Sequence, residues 1–191
     1  LTTLCRQATA DYRCVAYRAG GYALMPETAA ILSALYDNGI RIESTVAKGM
    51  TYHSSFSVVD FRNMPAKANW VIPPTGPLEA AGPLGLYEVP IVASPRTPWN
   101  NLPALVRRVL YHKRRHALAG RGYEAIYCSG MGSEKLKRLF PRSAWKLGFD
   151  DHTQSVPDLL GIFASHLGRH RTEAEVVCCT ISHPKSMGPY A

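Results

Sequence analysis

The stretch from Tyr12 to Ala47, "YRCVAYRAGGYALMPETAAILSALYDNGIRIESTVA", constrains the fold more than any other part of the chain. Its apolar run "CVAY" reads as a short buried strand that ends on Arg18, and Gly20 and Gly21 stand where the backbone must turn tightly. "MPETAAILSALYDNGI" then offers Pro26 near a helix start, good helix formers, apolar Ile31, Leu32 and Leu35, and an Asn38-Gly39 stop. "IRIESTVA" follows at once, with β-branched residues in alternation. Strand, helix and strand in immediate succession normally give two parallel strands, because the helix returns the chain to the edge it started from. The predicted class is α/β, in one domain over residues 1–191.

Beyond this unit the signals are uneven. Residues 48–85 are rich in Pro, Gly, Ser and Asn, with Tyr52, His53, Phe56, Phe61 and Trp70 scattered among them, and read as a long excursion rather than as regular elements. "GLYEVPIVAS" is a third strand, residues 102–119 a basic helix, and "SEKLKRLF" a short helix. "VPDLLGIFASHLGRH" is another helix, with Leu159, Leu160, Phe163 and Leu167 expected to share its buried face. "EVVCCTISHP" closes the pattern as a buried strand. Neither an internal repeat nor a low-complexity segment interrupts it.

Composition narrows the function classes. At 46% apolar and 19% charged residues, 191 residues suffice for a real core, so disorder is not the default reading. No apolar run approaches the roughly 20 residues of a membrane helix, and no signal peptide is visible. Five cysteines at irregular spacings, with Cys178 and Cys179 adjacent in an apolar run, read as buried thiols and favour a reducing, cytoplasmic compartment. A net charge of +8, concentrated in "RRVLYHKRRHALAGR", suggests an acidic partner such as nucleic acid, an anionic membrane surface or an acidic glycan.

Three side chains fall at or near the C-terminal ends of predicted strands, the edge where α/β sheets and barrels build their sites: Arg18, Glu43 and His183. A histidine fixed between a strand and Pro184 is suited to proton transfer near neutral pH, and Glu43 on the neighbouring strand is a natural partner for Arg18. The structural alternative is a satisfied histidine and an ordinary arginine–carboxylate pair.

The segments "YRAGGYALMPETAAILSALYDNGIRIESTV", "VVDFRNMP", "GLYEVPIV" and "TISHPKSM" resemble, in that order, the NodB-type polysaccharide deacetylases, particularly a bacterial branch with an Arg-Ala-Gly-Gly turn. The likeness runs discontinuously over nearly the whole chain. It implies a deformed (β/α) barrel, here partial, and metal-dependent removal of an acetyl group from an N-acetylated polysaccharide or oligosaccharide, with zinc as the expected divalent metal. In that scheme Arg18 would orient the aspartate that acts as general base, Gly20 or Gly21 would turn a backbone N–H toward the oxyanion, and His183 would protonate the leaving amine. Glu43 stands where the family usually has an aspartate, one methylene shorter.

The family's Asp-Asp pair and His-x-x-x-His metal ligands precede the arginine turn, and none occurs in the seventeen residues before Arg18. The chain is therefore expected to be the C-terminal portion of such a domain, with no metal ligands of its own. A substitute is conceivable in "GFDDHT", with Asp150, Asp151 and His152, together with His166 and His170 at the i, i+4 spacing of one helix face. The plainer expectation is that the two histidines are solvated and the aspartates cap a turn.

Two further features have paired readings. The basic helix, with Tyr111 among its charges, suits phosphate backbones, yet Leu102, Leu105, Val106, Val109 and Leu110 supply a buried stripe that any surface helix would have. Tyr52, Trp70 and Trp99 offer faces for a sugar ring, Trp70 foremost, or else local core. The rivals to a deacetylase are a non-catalytic carbohydrate-binding or structural remnant of its fold and a basic nucleic-acid-binding domain.

Overall fold

The helix after the arginine turn forms because its ends are closed by the residues that the sequence supplies. In the computed structural model, which describes residues 12–53, 58–95, 144–149 and 154–182 and the single helical positions 7 and 106, α1 spans Thr28–Asp37. Thr28 Oγ1 donates to the Leu24 carbonyl at 3.0 Å, and Asn38 Nδ2 donates to Ala34 O at 2.8 Å. Gly39 takes φ +83°, a conformation glycine adopts without steric cost, and the N–H of Ile40 returns to Leu35 O. Arg41 closes the last turn from outside, donating to Tyr36 O at 2.7 Å with its guanidinium 4.2 Å from the Tyr36 ring centre. The chain is thereby delivered straight into a strand.

That strand, β2 (Ile42–Glu43), lies parallel to β1 (Ala16–Tyr17), with Ala16 opposite Ile42 and Tyr17 opposite Glu43. A second parallel partner, β6 (Leu86–Glu88), flanks β2 and sets Glu88 opposite Glu43. The sheet runs β1-β2-β6-β5, in which β5 (Trp70–Ile72) is antiparallel to β6. The remaining strands pair in antiparallel twos, β3 (Thr51–His53) with β4 (Val58–Asp60) and β7 (Ala93–Pro95) with β8 (Ala144–Lys146). Parallel bridges Ala47↔Ile91, Ile91↔Cys179 and Gly148↔Ile181 carry parallel contacts beyond β6. The architecture is α/β with a mixed sheet.

The expected excursion over 48–85 therefore contains three strands. Each is three residues long, too short for alternation to register, and the hairpin β5–β6 is closed by a glycine that composition alone marks only as loop. Gly85 adopts φ +152°, and a Cβ there would stand 1.8 Å from the Ile72 carbonyl oxygen. The single strand expected over 85–94 is split into β6 and β7, with Pro90, which has no N–H for a ladder, between them. The terminal strand is reduced, over its described residues, to bridges at Cys179 and Ile181.

The main core fills the space between α1 and the sheet with Leu24, Leu32, Ile40, Val46, Phe61, Ile72, Leu78 and Leu86. A second cluster joins Val92, Trp145 and Leu147 to Ile162 of the last helix, α2 (Val156–Arg169). A capping box starts α2: Ser155 N and Oγ both meet Asp158 Oδ2 at 2.7 Å, with Pro157 in the first turn. The buried face of α2 differs from the expected one. Ile162 and His166 are buried, while Leu160, Phe163 and Leu167 are 62%, 37% and 40% exposed. Val106, expected in a buried stripe, is exposed as well. Among the described residues no helix is long and apolar enough to cross a membrane.

Candidate functional site

Arg18 leaves β1 at its C-terminal end, one residue beyond the Tyr17↔Glu43 pair. This register decides its partner. Successive strand residues point to opposite faces, so the side chain beside Arg18 is Ser44, not Glu43. Arg18 Nε donates to Ser44 O at 2.9 Å and its Nη2 to Ser44 Oγ at 3.1 Å. Ser44 Oγ in turn donates to Val89 O at 2.7 Å, so the serine hydroxyl ties the arginine to the edge of β6. Arg18 Nη2 also reaches Cys179 Sγ at 2.6 Å, and Cys179 stands beside Ile91 in a parallel bridge. Four segments of the parallel edge thus converge on one exposed guanidinium.

Past Arg18 the backbone makes a 3-10 turn over Gly20–Tyr22. Gly21 has φ +62°, so the sequence needs a glycine there, and a Cβ at either Gly20 or Gly21 would meet nothing within 4 Å. The turn is anchored from below by Ala19, whose N–H donates to the buried Thr45 Oγ1 at 2.8 Å. From the side, Lys146 Nζ donates to Tyr22 Oη at 2.7 Å. The result is an open stretch of backbone between two cationic side chains.

Glu43 lies on the other face and is fully buried. Its carboxylate accepts from Thr45 N at 2.9 Å and from Thr45 Oγ1, which couples it through Thr45 to the Ala19 amide of the turn. The expected Arg18–Glu43 pair is therefore replaced by an indirect link. Opposite Glu43 stands Glu88, also fully buried and absent from the sequence-based site. Burial pushes its carboxyl well above the usual range, and the charge of Glu43 pushes it further. Both Glu88 oxygens are buried without a hydrogen-bond partner among the described residues, so burial favours the neutral acid at Glu88. A signal that could have found it is the shared pattern of "RIES" and "LYEV", a glutamate set within an apolar strand in each case.

Trp70 is not presented to solvent. It is 3% exposed, its indole N–H donates to Leu78 O at 2.9 Å, and Lys48 Nζ sits 4.8 Å from its ring centre. Trp70 is thus packed into the main core, with no ring face turned to solvent. Lys48 donates to the carbonyls of Pro65, at 2.7 Å, and Lys67. Burial lowers its pKa to about 8.

The histidines of α2 are not solvated either. His166 and His170 are 3% and 5% exposed, with ring centres 4.8 Å apart. Glu173 Oε1 lies 2.6 Å from His170 Nδ1, and both Glu173 oxygens accept from Ala68 N–H. Burial would raise the Glu173 pKa, but the Ala68 and His170 bonds outweigh it and the carboxyl is held below its ordinary range. His166 is pushed down to about 4 by burial and by the neighbouring His170, Arg169 and Lys48. Among the described residues, no group of three His, Cys, Asp or Glu is placed to hold a metal ion.

His183, Trp99, Asp150, Asp151 and His152 lie outside the described residues, as does the basic helix apart from Val106. Cys14, Cys178 and Cys179 are free thiols, and burial followed by the neighbouring Cys179 raises the Cys178 pKa. Models of protein families, curated proteins and solved structures were all compared with the chain, and none matches it.

Proposed function

We propose that this chain carries part of the active site of a carbohydrate deacetylase, a hydrolase that releases acetate from an N-acetylated polysaccharide or oligosaccharide. The observation that carries the reading is the Arg18 edge: a guanidinium held by Ser44 at the C-terminal end of parallel strands, followed at once by the exposed Gly20–Gly21 backbone. Amide hydrolysis places negative charge on the former carbonyl oxygen in the transition state, and fixed N–H donors beside a cation stabilise that charge more than they stabilise the neutral substrate. The order of motifs from "YRAGG" to "TISHP" supports the same class.

In this reading Arg18 orients or neutralises the reacting carboxylate and the turn receives the oxyanion. Glu43 acts from beneath, through Thr45 on the Ala19 amide, as a positioning residue. His183 is proposed as the acid for the leaving amine. The resemblance implies a zinc-type ion, but the described residues provide no ligand trio for it, so no step is routed through a metal here.

The test is acetate release from N-acetylglucosamine oligomers, read by mass spectrometry, by the chain expressed with any coding sequence that lies upstream. Arg18→Lys keeps the charge but loses the fork that grips Ser44, and a drop in kcat on the order of 100-fold is expected. Activity in the parent that is unchanged in Arg18→Lys would remove Arg18 from the chemistry. No acetate from the parent on any oligomer, with tight oligomer binding retained, would instead identify a non-catalytic carbohydrate-binding member of this fold.

A further inference from the structure

The Arg18 edge carries a nucleophile that the proposed deacetylase chemistry does not use. Cys179 is a free, half-buried thiol whose sulfur lies 2.6 Å from Arg18 Nη2 and 3.2 Å from Ser44 Oγ. A guanidinium only donates, so the sulfur is the acceptor in that contact, while the Ser44 hydroxyl proton is committed to Val89 O. The backbone behind the thiol is fixed, because Cys179 O accepts from Val92 N–H at 2.9 Å beside the Ile91 bridge. A second feature is independent of the sulfur. Arg18 is exposed, and among the described residues no carboxylate pairs with it, so its charge stands without a counter-ion.

The two other described cysteines lack this combination. Cys178 packs against the cluster of Val92, Trp145, Leu147 and Ile162, and burial pushes its thiol pKa up. The adjacent sulfurs therefore lie on opposite sides of the chain, where Cys178 cannot close a disulfide with Cys179. Cys14 is exposed, yet its sulfur meets the Ala16 carbonyl, at 3.7 Å, rather than a cation. Reactive cysteines sit partly exposed beside positive charge, and Cys179 meets both conditions.

We propose that Cys179 is a site of S-thiolation by small disulfides that carry carboxylates, with Arg18 drawing in their acidic end. The Cys179 thiolate attacks one sulfur of the disulfide, the new Sγ–S bond forms as the old S–S bond breaks, and the departing thiolate keeps the bonding electron pair. The proton lost by Cys179 passes through water to that thiolate. Cys179 is oxidised and half of the small disulfide is reduced, so no other oxidant enters. With Cys178 turned away, the product is a mixed disulfide that added thiol reverses. The adduct neutralises Arg18 and so regulates the edge; that consequence rests on the deacetylase reading, but the modification itself does not.

The probes are oxidised glutathione, with carboxylates at each end, and cystamine, with an ammonium at each end. Each is applied to the full chain, and adducts are located by mass-spectrometric fragmentation, which separates Cys179 from Cys178. Oxidised glutathione should label Cys179 before Cys14, although Cys14 is the more exposed. After correction for the reactivity of each probe with free cysteine, it should outpace cystamine at Cys179 on the order of 10-fold, and added salt should shrink the gap. The preference should vanish in Arg18→Gln, and Cys178→Ser should label as the parent does. The comparison of the two probes on the parent needs no variant to fold. Earlier labelling of Cys14, equal corrected rates on the parent, or a preference that survives Arg18→Gln would each overturn the proposal. The readout is adduct mass rather than acetate, so its failure and that of the deacetylase reading are told apart.

Discussion

The Glu43–Glu88 pair allows the most direct test of the site's electrostatics. Glu88→Gln replaces a carboxyl that burial favours as the neutral acid with a neutral amide of the same shape, whose NH₂ can donate to Glu43 across the strand pair. Below the ordinary glutamate pKa of 4.5, the two proteins should differ little. Above it, the unfolded parent releases the Glu88 proton while the folded parent keeps it, so the unfolded state binds fewer protons and the parent loses stability as pH rises. The loss is about 1.4 kcal/mol per pH unit and continues until the raised folded-state pKa is reached. Each pH unit between the unfolded and the folded pKa thus removes a sizeable share of the roughly 5–15 kcal/mol that a domain commonly has. Urea denaturation of both at half-unit steps from pH 4.5 to 8 measures the difference, and groups common to both proteins cancel. The variant should gain on the parent with each step above the ordinary carboxylate range until the raised folded-state pKa is passed. Parallel stability curves would mean that Glu88 titrates alike in the folded and unfolded chain, and the raised pKa of Glu88 would have to be abandoned.

Two other perturbations test the placement of the elements. Ile162→Ala should cost roughly 2–5 kcal/mol by opening the cluster of Val92, Trp145 and Leu147, whereas Leu160→Lys, two residues earlier on the exposed face, should stay within about 0.5 kcal/mol of the parent in chemical denaturation. Equal costs would show that α2 buries the Leu160 face instead. Gly85→Ala forces a methyl against the Ile72 carbonyl, 1.8 Å away, in a backbone conformation with φ +152°, and should unfold the β5–β6 hairpin or lower Tm steeply. A Tm within a degree of the parent would contradict that close approach.

What the sequence made legible was local, and what it concealed was long-range. Helix α1 was readable because its stop signal, Asn38-Gly39, is written in adjacent residues, and the parallel β1–β2 pair followed from the brevity of the links on either side. The face of α2 was not, because two apolar stripes interleave on it. Leu160, Phe163 and Leu167 match helical spacing as well as Leu159, Ile162 and His166 do, and counting histidine as polar tips the balance toward the exposed stripe. Burial there is set by Val92, Trp145 and Leu147, which lie far away in the chain.

The candidate site divides along the same line. Arg18, Gly20 and Gly21 were found from a six-residue stretch, and Glu43 was rightly placed on the adjacent strand, but its role depends on a register that sequence does not specify. Shifting the β1–β2 pairing by one residue would exchange Glu43 and Ser44 between the two faces of the sheet. In the observed register the hydroxyl meets the arginine and the carboxylate goes inside, where Glu88, forty-five residues later, waits in the same position of its own strand. The edge thereby keeps its guanidinium free of any carboxylate contact from β2, and the acidic pair is kept where water cannot reach it. A single residue of register thus separates a neutralised surface ion pair from an exposed cation above two buried carboxyls, with the pKa of Glu88 raised by burial. Only the second leaves a positive charge available to a ligand at this edge.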